Sequence, residues 1–305
     1  MKIAVLGIGG VGGYYGAKLA SAYASSEEHK IFFIVRGDHL KAIQEKGLTL
    51  ITPTESFTTT PSVATENPEE LGPLDLVLVC VKGYGLEDAI RLISPNIHAD
   101  SIVIPLLNGV DNAERIKKVL KRGIIMNGCV YISSHIERPG VIEQTGGSCK
   151  LLFGPENGLS GGYRNIENLM KHAGIDAVLS EHIAVDVWTK YIFIGPMAGF
   201  SSVLQLPLGA IMKDEKNRAM LEGLMKEVAT IAAAQGIDLP GTIVSSSLAM
   251  TNNFPYDTKT SMQLDREKGN LMEVDTFIGY IVERGKFLGI ETPLYEKILS
   301  VLTEK

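Results

Sequence analysis

The stretch from Ile3 to Ala20, IAVLGIGGVGGYYGAKLA, constrains this chain more than any other. A short apolar run, Ile3-Ala4-Val5-Leu6, leads into Gly7-Ile8-Gly9-Gly10-Val11-Gly12, and Val11, Tyr15 and Leu19 then recur at helical spacing. Strand, glycine turn and helix in that order give a G-x-G-x-x-G its meaning, because a dinucleotide's phosphates settle on the unpaired N–H groups at the helix start. Gly7 permits the tight turn off the strand, Gly9 lets the backbone approach a pyrophosphate, and Gly12 lets the helix pack close to the sheet. The bland alternative is a glycine-rich turn that binds nothing. The buried-type strand before the motif and a second strand soon after it point instead to dinucleotide binding.

That second strand, Ile31 to Val35, narrows the cofactor. An NAD-preferring site carries Asp or Glu at this strand end to hold the ribose 2′-hydroxyl. Here Arg36 stands in its place, with Asp38 two residues on. A guanidinium forks onto a 2′-phosphate, so the expected cofactor is NADPH, against the alternative of a solvated loop arginine.

The rest of the chain reads as alternating strands and helices up to about residue 180. Leu74 to Val81 is a buried parallel strand, with Lys82-Gly83-Tyr84 at the end where open α/β sheets hold ligands. Ser101 to Leu107 is the next strand, ended by Asn108-Gly109. Ile124 to Ile132 reads as one further strand. Val141 to Gln144 and Lys150 to Gly154 read as paired antiparallel strands at the sheet edge. From about Ile183 the pattern is helical throughout. Met220 to Ala234 carries an i, i+3, i+4 apolar face, and Asn270 to Leu288 reads as a later helix. The expected fold is therefore α/β: a Rossmann-type doubly wound sheet over residues 1–179, followed by an all-helical domain over 180–305.

A chain of 305 residues is long enough for both. Its net charge of −6, without a basic tail, argues against a nucleic-acid partner. Cys80, Cys129 and Cys149 form no C-x-x-C and read as buried thiols of a cytoplasmic protein. The six histidines show no metal-ligand spacing, so no metal is expected. No signal peptide is expected, since the first apolar run, Ile3 to Leu6, leads straight into the glycine turn. The uncharged run from Tyr191 to Met212 could span a bilayer by length. Pro196 and Pro207, with Gly195, Gly199 and Gly209, break it up, so it reads as buried helix rather than a membrane span.

Three constellations could carry chemistry. Lys190 is the last charge before that uncharged run. At the rim of a low-dielectric region an amine is tuned to give up its proton, so Lys190 is a candidate proton donor; snorkelling out of an apolar helix is the alternative. Asn108 could hydrogen-bond a nicotinamide, its ribose or a substrate, or be an ordinary turn asparagine. In Thr260-Ser261-Met262-Gln263-Leu264-Asp265, Ser261 could cap a helix, and Glu273 and Asp275 are odd on a mostly apolar helix if merely structural.

Taken together, GIGGVGGYYGAKLA, VCVKGYG, LLNGV, the GPE segment, DVWTKYIF and TSMQLDREKGNLMEVD resemble the ketopantoate reductase (2-dehydropantoate 2-reductase) family over nearly the whole length. The resemblance implies NADPH-dependent reduction of the carbonyl of a small 2-oxo acid, 2-dehydropantoate to pantoate, a step of pantothenate biosynthesis. It implies that Lys190 protonates the carbonyl oxygen and that Glu273 is its acidic partner near cofactor ribose and substrate. Ser261 then binds the substrate carboxylate and Asn108 lies beside the nicotinamide and substrate. Lys82 and Arg36 flank the adenosine phosphate, Ser134 offers a backbone contact to the cofactor, and Gly7, Ile8, Gly9, Gly10, Val11 and Gly12 form the phosphate loop. The chain departs from the family where asparagines bind the substrate: Ile194, Ala198 and Leu208 stand there instead. A reductase of a more apolar 2-oxo acid is therefore an alternative. A non-catalytic NADP(H)-binding sensor is the alternative of a different class, and Lys190 with Glu273 discriminates, since a sensor needs neither. Monomer and homodimer both stay open.

Overall fold

The structure is a computed structural model that describes residues 1–156, 158 and 161–304. It divides into two compact units, one of Met1–Leu107 with Asn112–Ile183, the other of Asn108–Asp111 with Ala184–Lys305.

The first unit runs β1 (Lys2–Leu6), α1 (Gly10–Ala22), β2 (Lys30–Ile34), α2 (Gly37–Lys46), β3 (Leu48–Ile51), β4 (Ser56–Thr59), β5 (Val63–Thr65) and β6 (Leu74–Val79). It continues with α3 (Leu86–Ile93), β7 (Ile97–Pro105), α4 (Asn112–Val119), β8 (Ile124–Ile125), β9 (Asn127–Arg138), β10 (Val141–Gly154), α5 (Arg164–His172) and β11 (Ala177–Leu179). Among the described residues, β5-β2-β1-β6-β7-β8 form a six-stranded sheet, parallel at every pairing. Side chains alternate across it. Ile3, Val5, Ile31, Phe33, Leu76 and Leu78 face the core shared with α1 and α5, whereas Ala4, Leu6, Phe32, Ile34, Val77 and Val79 face α3 and α4. Helices thus cover both faces, the doubly wound arrangement.

A second, five-stranded sheet, β11-β10-β3-β4 with β9 paired to β10, packs on the far side of α1. That explains the glycines beyond the loop. A Cβ on Gly13 would run into Ile142 of the second sheet, and one on Gly16 would meet the Phe33 ring of the first at 3.0 Å. A helix held between two sheets needs small residues on both sides.

Two expectations change here. Residues 141–144 and 150–154 are not two paired strands at the sheet edge but one strand, β10, whose antiparallel partner is β9. The TGGSC segment that reads as a turn is a bulged stretch: the register shifts at Gly146, and Gly147 and Cys149 take φ of 82° and 59°. Ile124–Ile132 is also divided. β8 ends on the first sheet, and the chain then crosses to the second sheet as β9.

The second unit is helical: α6 (Ile183–Leu204), α7 (Leu208–Lys213), α8 (Glu215–Ala234), α9 (Ile243–Met250), α10 (Ser261–Glu267), a π-helical turn (Asp275–Gly279), α11 (Tyr280–Leu288) and α12 (Pro293–Thr303). α6 is apolar on nearly every side and buries Trp188, Tyr191, Ile192, Phe193, Met197 and Ala198 in this unit's core. α8 buries Leu221, Leu224, Met225, Val228, Ile231 and Ala232, the face read from periodicity, and the Asp214 carboxylate caps it by accepting from the Asn217 N–H at 2.9 Å. The Glu227 carboxylate caps α12, accepting from the Leu294 and Tyr295 N–H groups at 2.9 and 3.0 Å. No helix among the described residues is long and apolar enough to cross a membrane. The segment 270–288 is not one helix: residues 270–273 are outside any helix, and the π turn precedes α11.

Candidate functional site

In the first unit the candidate residues gather at the carboxyl edge of the parallel sheet. β1 pairs with β2 on one side and β6 on the other. Arg36, the residue before α2, lies two residues past the end of β2, and Lys82 lies three past the end of β6, so each follows a strand neighbouring β1; both residues are exposed. The loop itself runs Gly7 to Gly12. Gly7 has φ of 92°, the positive value the turn off β1 requires. Ile8 is buried, Gly9 caps α1, and Val11 lies half-buried in the first helical turn.

The glycines have separable tasks. A Cβ on Gly12 would strike the Gly7 carbonyl and come within 2.9 Å of the Cys80 Cβ, so this glycine serves packing. A Cβ on Gly10 would strike the Ser134 carbonyl, so Ser134 closes against the loop through its backbone while its hydroxyl is buried without a partner among the described residues. A Cβ on Gly9 would meet nothing within 4 Å. The N-terminus of α1 has no acidic residue in its first turn and no side-chain cap, which leaves its N–H groups and dipole directed at the space beside Gly9. These features fit a diphosphate.

Two further contacts, which the sequence does not announce, brace this edge. Arg115 forks onto Glu87 at 2.8 and 2.9 Å and donates to the Gly83 carbonyl at 2.6 Å, pinning the turn after Lys82. The Arg115 guanidinium holds the Glu87 carboxyl below the usual carboxylate range. His39 accepts from the Gly140 N–H at Nδ1 (2.9 Å) and lies against the Ile8 backbone of the loop. Burial lowers its pKa, which suits a neutral ring that must accept.

In the second unit the structure brings Lys190 and Asn108 together. The Lys190 Nζ donates to the Asn108 Oδ1 at 2.8 Å, and both residues are half-buried. Asn108 reaches this unit because Asn108–Asp111 belong to it, with Val110 packed on the helical core. Glu273 is 6% exposed and stands two residues before the π turn, and its carbonyl accepts from the Phe277 N–H at 3.1 Å. Asp275, by contrast, is exposed. Ser261 is exposed at the first position of α10, and the cap is not Ser261 but Thr260, whose hydroxyl accepts from the Gln263 N–H at 3.2 Å. Thr260 also bonds the buried Ser201 of α6 at 2.8 Å, which ties the start of α10 to the helix that carries Lys190.

The residue beside Lys190 escapes sequence reading altogether. Tyr191 is 1% exposed, and its hydroxyl donates to the carbonyls of Thr276 and Phe277, each at 3.0 Å. A buried phenol usually finds a partner for its O–H, and that is the one signal the sequence offers. Burial, and then Tyr295, Asp111 and Tyr280 nearby, keep Tyr191 protonated well above the ordinary tyrosine range.

Comparison with known proteins agrees with this layout. The family model "Ketopantoate reductase PanE/ApbA" matches residues 3–158, and "Ketopantoate reductase PanE/ApbA C terminal" matches residues 182–305. The uncharacterized oxidoreductase YkpB of Bacillus subtilis is 29% identical over 303 residues, 99% of this chain and 98% of its own length. The 2-dehydropantoate 2-reductase of Mesorhizobium japonicum is 28% identical over 322 residues, covering 99% of this chain and 97% of its own. The crystal structure of 2-dehydropantoate 2-reductase from Porphyromonas gingivalis matches with a TM-score of 0.86 at 31% identity, over 100% of this chain and 99% of that one. The chain is thus a member of the ketopantoate reductase family of oxidoreductases.

Proposed function

We propose that this protein reduces a 2-oxo acid with NADPH, 2-dehydropantoate to pantoate being the reaction its relatives' names support. The observation that carries the reading is the hydrogen bond from Lys190 to Asn108, which aims a cationic proton donor from an apolar helix. Bound NADPH supplies the hydride. The chain's own residues do the rest. Gly7 to Gly12 and the start of α1 hold the diphosphate, with the Ser134 backbone closing the loop. Arg36 and Lys82 hold the 2′-phosphate and adenosine. Lys190 donates a hydrogen bond to the substrate carbonyl oxygen and passes it a proton as negative charge develops there; water then reprotonates the amine. Asn108 orients that ammonium and lies beside the nicotinamide. Ser261 donates its O–H to the substrate carboxylate, and Glu273 fixes the arrangement around Lys190 and the cofactor ribose.

A second reading keeps the chemistry and changes the side chain of the acid. Ile194 and Ala198 follow Lys190 at one and two helical repeats, and Ala198 and Leu208 are each 3% exposed. Side chains without an amide at these positions leave no donor or acceptor for a substrate hydroxyl, which favours a substrate that lacks one. The test is NADPH oxidation with 2-dehydropantoate, its analogue lacking the terminal hydroxyl, and a series of branched 2-oxo acids. Preference for 2-dehydropantoate supports the first reading and preference for the analogue the second. No turnover with any acid overturns both in favour of a cofactor-binding sensor.

A further inference from the structure

A π turn carries one residue more than an α turn, so the ladder of amide-to-carbonyl bonds slips and carbonyls there look to other donors. At Asp275–Gly279 the slip is visible, since the Tyr280 N–H donates five residues back to Asp275. The donor that answers it is Tyr191, whose single O–H is shared between the Thr276 and Phe277 carbonyls at 3.0 Å each. Tyr191 adjoins Lys190 on α6, and Thr276 lies three residues after Glu273. Its ring is held edge-on by Trp188, with centroids 5.9 Å apart, and Trp188 also lies 6.2 Å from Tyr280 at the start of α11. All of these groups lie in the second unit.

We propose that Tyr191 is a positioning residue for the reduction: its hydroxyl locks the π turn that follows Glu273 to the helix that carries Lys190, so the acid and the proton donor keep one register. This rests on the roles given to Lys190 and Glu273 above. The hydroxyl is buried and stays protonated, so it acts as a fixed donor and takes no part in proton transfer.

The test compares two phenol-to-phenyl changes in the same core. Tyr191→Phe keeps the ring and deletes the donor. Tyr295→Phe is the control, because the Tyr295 ring is fully buried and its hydroxyl has no hydrogen-bond partner among the described residues. Tyr191→Phe is expected to lower kcat by about 10–100-fold, the scale of an ångström-sized misplacement at a reacting centre. The NADPH dissociation constant stays within about twofold, since the phosphate loop is untouched. The kinetic isotope effect with cofactor deuterated at the transferred position rises, and amides 275–280 exchange faster. Tyr295→Phe shows none of these changes. Wild-type kcat in Tyr191→Phe, or equal losses in both variants, overturns the assignment while leaving the reductase reading intact. If wild-type protein reduces no 2-oxo acid, the function itself falls and this assignment falls with it. A measurement free of any variant keeps the idea exposed should Tyr191→Phe fail to fold: in tyrosine-labelled wild-type protein the Tyr191 hydroxyl proton is visible by NMR and slow to exchange, and a rapidly exchanging one refutes the lock.

Discussion

Gly9 and Gly12 stand three residues apart in one loop, yet replacing each by alanine has opposite consequences. Gly9 has φ −84° and ψ −160°, an extended conformation that alanine adopts, and its Cβ would point into open space. Alanine is a poorer N-cap than glycine by roughly 0.5 kcal/mol. It also stiffens the unfolded chain, which returns about 0.4–1 kcal/mol. The two nearly cancel, so Gly9→Ala melts within a degree or two of wild type. The same methyl occupies the open space beside Gly9 where, on the proposed reading, a diphosphate would approach the backbone. Losing one charge-assisted hydrogen bond there costs about 1.5–3 kcal/mol, or roughly 10–150-fold in the NADPH dissociation constant. At Gly12 the added Cβ meets the Gly7 backbone carbonyl, which cannot swing aside as a side chain could. Overpacking of that kind costs about 1–3 kcal/mol, worth about 2–4 °C of Tm per kcal/mol in a chain of this size. Scanning calorimetry paired with fluorescence titration of NADPH separates the two variants. A Gly9→Ala protein that binds NADPH as wild type does would remove the diphosphate from this loop. Weaker binding with a matching fall in Tm would show that the glycine serves the fold.

Lys190→Ala is expected to lower turnover by about 10²–10⁴-fold with NADPH affinity nearly unchanged; single-turnover kinetics that match wild type would take Lys190 out of the mechanism. Arg36→Ala is expected to weaken NADPH by about 10-fold or more and NADH little, so equal losses in parallel titrations would undo the 2′-phosphate assignment. Glu167 gives a pH signature. Lys171 first, then the Leu179 N–H and Arg164, hold its carboxyl below the ordinary value of 4.5. A depressed folded pKa means stability that is present above the unfolded pKa and lost as pH falls through the folded one. Both cationic partners reach solvent, so screening limits the gain to about 0.5–1 kcal/mol. Glu167→Gln should therefore be less stable than wild type at neutral pH and equal to it in strong acid, and a gap in urea melts that does not change with pH would count against this account.

The parts of the fold legible in the sequence are those where one local signal suffices. The buried runs of β1, β2 and β6 and the amphipathic face of α8 could be read off because periodicity alone determines them. The segment around Gly146 and Gly147 could not. Two glycines between apolar runs look like a hairpin turn, and only the long antiparallel partner β9 makes them a bulge inside one strand. The π turn was hidden for a similar reason, since its extra residue is held by Tyr191, distant in sequence. At the candidate site, Lys190 and Asn108 could each be singled out as chemistry, but not as partners. Nothing in the chain between them marks the meeting, because it depends on residues 108–111, just past β7, belonging to the second unit.

That four-residue excursion, Asn108 to Asp111, bears on how such a protein can be cut and recombined. The helical unit is not a contiguous piece of chain. A fragment beginning at Ala184 would fold, if at all, without Val110 in its core and with Lys190 deprived of its amide partner. A chimera that exchanges only the C-terminal stretch with a relative would pair one protein's lysine with the other's asparagine loop. The hydrogen-bonded Lys190–Asn108 pair is therefore split across two distant stretches of the sequence, and substitutions in residues 108–111 and around Lys190 must be made together for either to be interpreted.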